Sequence, residues 1–125
     1  MKTSPPNSIT GPKVKVMKST FFGTAMHLTD ETKARAIVKD MKQRDRKARH
    51  IVFAFRVEGN PVAEGMSDDG EPHGTGGMSI LSFLRNREIT NVLVTVTRYW
   101  GGVKLGPGRL KRAYLEAAKK VLEMM

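Results

Sequence analysis

Most of the residues whose types and spacing could do chemistry fall in two short stretches. Residues 67–77 read S-D-D-G-E-P-H-G-T-G-G and residues 97–110 read T-R-Y-W-G-G-V-K-L-G-P-G-R-L. In the first, Asp68, Asp69 and Glu71 place three hard oxygen donors close together, and Gly70 permits a turn that aims them inward, a donor set suited to Mg²⁺. The same acids serve equally as caps for a following helix or as partners for basic neighbours, and their spacing matches no calcium loop. His73 is the histidine inside this loop, while His27 and His50 flank strands. Beside Asp69, His73 forms too common a pairing to define a general base.

In the second stretch, Arg98, Lys104 and Arg109 are side chains that hold phosphate oxygens. Gly101, Gly102, Gly106 and Gly108 let backbone approach a ligand or simply satisfy a tight strand-to-helix turn. Tyr99 and Trp100 offer rings that stack on a base, worth about 1–3 kcal/mol where it occurs. Neighbouring strand residues point to opposite faces, so at most one of the two rings meets a ligand. The P-loop spacing is missing, and no serine–histidine–acid pattern stands out. The chain has no cysteine, which excludes thiol chemistry and cysteine-ligated metal and agrees with a cytoplasmic setting. These residues favour binding over catalysis.

Which partner would such residues meet? Twenty-two Lys and Arg against twelve Asp and Glu give +10, a field that draws RNA, DNA or an acidic protein surface. Against that background residues 51–75 are acidic, with Arg56 alone facing Glu58, Glu64, Asp68, Asp69 and Glu71. The acidic insert is therefore expected to complement Arg98 and Lys104 rather than repel them. The basic run R-D-R-K-A-R-H at residues 44–50 suits either the solvated end of a helix or a polyanion footprint. No window approaches the ~20 apolar residues of a membrane span, so no membrane partner is expected.

The elements that position these stretches follow from hydrophobic period. At 125 residues the chain has the length of one domain. Residues 1–12, with three prolines and no period, read as a flexible tail ahead of a domain spanning 13–125. Strands are expected at 13–18 and 20–27, then a helix from Thr29-Asp30-Glu31 to about Asp45 with the stripe Ala34, Ile37, Val38 and Met41. A hairpin follows at 51–57 and 62–66 around Gly59-Asn60-Pro61. Ile80, Leu81 and Leu84 mark a short helix, residues 91–98 an interior strand, and Pro107 the start of a helix that buries Leu110, Tyr114, Ala117 and Val121. If 62–66 and 91–98 run parallel, both glycine-rich loops leave from one edge of the sheet and each feeds a helix N-terminus, where anions are favoured.

The two long motifs, in this order and separation, resemble those of the YigZ/IMPACT family. F-F-G-T-A at 21–25 is similar to the family's F-x-G-x-A entry, and A-R-H-I-V-F-A-F at 48–55 to its A-x-H-x-x-x-A strand. The resemblance runs from about Lys18 to the C-terminus. It implies an α+β fold like the second domain of ribosomal protein S5, with a four- to six-stranded sheet and helices packed on one face. It also implies a translation-linked role, since eukaryotic relatives bind an activator of a translation-initiation kinase and bacterial ones are inferred to bind nucleic acid. Gly77 stands where the family has an alanine-glycine pattern, and G-P-G-R-L replaces G-T-G-G-L, adding Pro107 and Arg109. The second, ferredoxin-like domain of many bacterial relatives is not expected here. The expectation is a translation-linked regulatory binding module that contacts RNA or a ribosome-associated partner and needs no cofactor. The alternatives are a small Mg²⁺-dependent enzyme acting on a phosphorylated metabolite, and a protein-binding regulator.

Overall fold

A computed structural model describes residues 4–125, and its centre is three long strands whose side chains alternate between two apolar environments. These are β3 (Ser19–His27), β4 (His50–Val57) and β6 (Val92–Tyr99). β6 lies between β3 and β4, and β5 (Ala63–Ser67) forms the edge beyond β4. At the other edge β1 (Ser8–Thr10) and β2 (Val14–Val16) share the flank of β3, giving six strands, every ladder antiparallel.

Period two decides which residues meet which helix. Val52 and Ala54 of β4 point with Val92, Val94 and Val96 of β6 toward α2 (Gly77–Asn86) and α3 (Pro107–Leu122). Ile51, Phe53, Phe55 and Leu93 point the other way, onto α1 (Ala34–Arg44). The expected covering of one face by helices holds for α2 and α3, and α1 covers the reverse. A strand that reads I-V-F-A-F has no polar alternation, so both of its faces require cover. A 3₁₀ turn at Glu31–Lys33 precedes α1, capped by Asp30, whose carboxylate accepts from Thr32 N at 3.0 Å. No helix among the described residues is long and apolar enough to cross a membrane.

The tail expected over residues 1–12 is corrected in part. Ser8–Thr10 pair with Thr24–Met26, and Ile9 packs against the core cluster of α3. β2 covers only the first part of β3, so backbone donors and acceptors further along that strand are available to a segment with no period of its own. Residues 1–3 of the expected tail lie outside the described residues.

The strands that end in the two glycine-rich loops, β5 and β6, are not neighbours, because β4 lies between them. Each is antiparallel to β4, so the two run in the same direction. Both loops therefore leave from one edge, α2 carries the chain from the first loop back to the opposite edge, and β6 returns it to the second.

On the opposite flank α3 presses directly on β3. A Cβ placed on Gly23 would stand 2.7 Å from both the Ala117 carbonyl oxygen and Val121 Cγ1, contacts that real side chains do not make. Gly23→Ala should destabilise the fold by about 1–3 kcal/mol, the usual effect of overpacking. It would be read as a lower urea midpoint at unchanged slope. A midpoint equal to the parent's would mean that α3 is not seated this closely.

Candidate functional site

The valine column of β6, Val92, Val94 and Val96, is continued on the same face by Arg98. A guanidinium at the end of an apolar column needs a partner, and Glu71 of the first glycine-rich loop supplies it. Arg98 Nη1 donates to Glu71 Oε2 at 2.7 Å, with the two side chains 6% and 5% exposed. Arg98 Nε and Nη2 also donate to Ser19 Oγ at the start of β3, at 3.4 and 3.3 Å. From α3, the Tyr114 hydroxyl donates to the same Oε2. Burial first, and then the Glu71 carboxylate, push the Tyr114 phenol well above the usual tyrosine value.

His50 completes the group. It is the cross-strand partner of Arg98, and its Nδ1 lies 2.6 Å from the Asp69 carbonyl oxygen. A carbonyl only accepts, so Nδ1 carries a proton toward Asp69, and Nε2 faces Glu71 Oε1 at 3.5 Å.

The other two acids have separate tasks. Asp68 accepts from the backbone N–H groups of Gly74 at 2.9 Å, Gly76 at 3.0 Å and Met78 at 3.2 Å, and so holds the start of α2. Asp69 accepts from Ile51 N at 2.8 Å and pairs with Lys42 of α1. The three carboxylates expected as a metal set thus turn to three different groups of donors. Among the described residues no group of three or more His, Asp or Glu side chains is placed to hold a metal. This donor set does not fit Mg²⁺, and its chemistry is that of capping and ion pairing.

Above the Arg98–Glu71 pair opens a cleft of about 410 Å³. Glu71 and Pro72 from the first loop face Trp100, Lys104 and Gly106 from the second. Of the residues read as anion- or nucleic-acid-binding, Arg98, Trp100, Lys104 and Gly106 line it. Tyr99 belongs to the reverse face, where its ring lies 5.9 Å from Phe22 and its hydroxyl donates to Asp45. Arg109 is outside the lining, with Nη1 4.0 Å from Met17 Sδ. Gly101 is required by packing, because a Cβ there would lie 2.0 Å from the Lys18 carbonyl oxygen. Gly102 and Gly106 have φ of +89° and +79° and shape the turn into α3.

Sequence reasoning missed His50 and Tyr114, and it reached Arg49 only as part of the basic run at residues 44–50. His73, placed in the site by position in the loop, is exposed, and His50 takes its place. The signal for His50 was its position at the start of a strand beside β6, within the A-R-H-I-V-F-A-F segment. Arg49 stacks its guanidinium 4.4 Å from the centre of the Trp100 ring, which is 44% exposed. The lip of the cleft therefore carries an open aromatic surface and two cations, Arg49 and Lys104, above a neutralised ion pair.

Comparison with known proteins agrees with this architecture. The family model described as the Impact N-terminal domain matches residues 17–122. A Haemophilus influenzae protein named as an IMPACT family member is 37% identical over 114 residues, 89% of this chain and 55% of its own. A crystal structure reported as that of a hypothetical protein superimposes with a TM-score of 0.84 at 30% identity, over 95% of this chain and 58% of that one. The structure of the two-domain translational regulator Yih1 gives a TM-score of 0.64 at 30% identity, over 97% of this chain and 48% of that one. The chain spans about half the length of these relatives.

Two expected outcomes follow from the ion-pair group. Arg98→Met leaves the Glu71 carboxylate buried without its cation and should cost about 3–5 kcal/mol in denaturant unfolding. Restoring an apolar pair with Glu71→Leu should recover part of that loss, and a fully additive double variant would disprove the coupling. The unfolded tyrosine ionises near pH ~10 while the folded Tyr114 keeps its proton. Stability should accordingly be unaffected by this group below that pH and fall as pH rises past it. Tyr114→Phe should remove that part of the alkaline slope in pH-dependent thermal unfolding.

Proposed function

The chain belongs to the Impact N-terminal domain family, and on that premise we propose a translation-linked regulatory module of the cytoplasm whose cleft binds RNA. The translation link is supported by the structural relative Yih1, a two-domain translational regulator. The choice of RNA is supported first by one local observation, an exposed Trp100 carrying the Arg49 guanidinium with Lys104 beside the same cleft. Rings that stack on bases next to cations that meet phosphates are the usual components of a nucleic-acid surface. The net charge of +10 supplies the long-range attraction.

Within this reading Arg98 does not meet phosphate. Its charge is matched by Glu71, and its part is to hold the floor of the cleft. Arg49 and Lys104 are the phosphate contacts, and Trp100 is the base contact.

A protein partner is the second reading, favoured by Met17 and Trp100, two of the four large apolar residues that stand exposed among the described residues. Salt separates the two. RNA affinity should fall steeply as salt rises, because phosphate contacts release counterions. Lys104→Ala should weaken binding of unrelated RNA sequences alike and reduce the slope of log affinity against log salt by about 0.7–0.9. Absence of RNA binding at low salt, together with a protein retained from lysate at high salt after nuclease treatment, would replace the first reading with the second.

A further inference from the structure

We infer that the cleft takes in one unpaired nucleotide with its base inward and its phosphate at the lip, so that the RNA it recognises is single-stranded. This inference rests on the RNA reading above and adds the form of the ligand.

The distribution of polarity inside the cleft fixes the orientation. Its wall is apolar, made by Pro72, Leu105, Pro107 and Leu110, and offers nothing to a phosphate. Its cations, Arg49 and Lys104, stand with Trp100, whose ring Arg49 covers on one side at 4.4 Å. A base lying along the ring surface that remains extends the stack of guanidinium and indole.

The floor points the same way. Glu71 Oε2 already accepts from Arg98 and Tyr114. Oε1 lies 3.5 Å from His50 Nε2, a looser contact than the two that Oε2 makes, and a carboxylate oxygen has lone pairs for more than one donor. A carboxylate oxygen with spare acceptor capacity at the bottom of a cleft calls for a hydrogen-bond donor. A phosphate brings further acceptors, whereas every nucleobase carries an amino or imino N–H on its Watson–Crick edge. The base therefore goes down and the phosphate stays up, beside Lys104 and the amino end of α3, whose Gly106 provides no side-chain cap.

Size agrees with this assignment. About 410 Å³ lies within the range of clefts that enclose small molecules, and a paired, stacked base is not free to enter one. Double-stranded RNA presents its shallow groove and backbone instead, while unstacked bases of single strands fit pockets lined by rings.

Trp100 is the one tryptophan of the chain, so intrinsic fluorescence of the whole protein reports on this cleft directly. Titrations with uridine monophosphate, ribose 5-phosphate, a short single-stranded RNA and the same RNA as duplex should separate the outcomes, with labelled-RNA anisotropy read in parallel. The nucleotide and the single strand should change the Trp100 emission, ribose 5-phosphate should not, and the duplex should bind at least about tenfold more weakly. Trp100→Ala should lower single-strand affinity about five- to 150-fold with the salt slope unchanged, whereas Lys104→Ala should lower the slope itself. Equal binding of single strand and duplex with unchanged Trp100 emission would overturn the inference and leave the RNA reading standing. No anisotropy change with either RNA at low salt would overturn both.

Discussion

A guanidinium and a carboxylate, both withdrawn almost wholly from water, hold this molecule's first glycine-rich loop against the end of β6, from which the second loop leaves. Removing either charge from solvent costs several kcal/mol, so each is tolerable only because the other is in hydrogen-bond contact. The pair has to be formed from distant parts of the chain: Arg98 is the penultimate residue of β6, and Glu71 lies beyond β5 in the preceding loop. Ser19 of β3 and Tyr114 of α3 close the remaining approaches. The site is thus a by-product of solving a desolvation problem, and its outer surface is what remains for a ligand.

Two antiparallel pairings to β4 bring this about. Because β5 and β6 each run against β4, they run with each other, and their loops share an edge without the strands touching. The pair then locks what the topology has only placed nearby. His50, at the first position of β4 and opposite Arg98 in register, is drawn into the same group by its place in the ladder.

Much of the fold was legible in period alone. The alternation of residues 92–98, the stripe of α3 and the turn at Gly59-Asn60-Pro61 give the sheet centre, its covering helix and its hairpin. The split between Tyr99 and Trp100 also follows from alternation, one ring to each face. What period does not carry is partnership. Arg98 reads both as a phosphate contact and, from charge rather than period, as a complement to the acidic insert; the structure bears out the second through Glu71 and adds that the pair is buried. His73 lies in the right loop but outside the cleft, while His50 enters through a strand pairing that sequence separation conceals. The edge strand β1 was read as tail for a related reason, since β3 supplies its hydrogen bonds and its own residues supply little pattern.

Asp68 gives the glycine-rich segment before α2 a character that its composition conceals. A stretch with this many glycines would pay heavily in entropy to settle around a ligand. Here one carboxylate already pins the amides of Gly74, Gly76 and Met78. The segment is a stiff ledge rather than a hinge, and it anchors the far end of the loop that brings Glu71 and Pro72 to the cleft, so that loop was ordered when the chain folded.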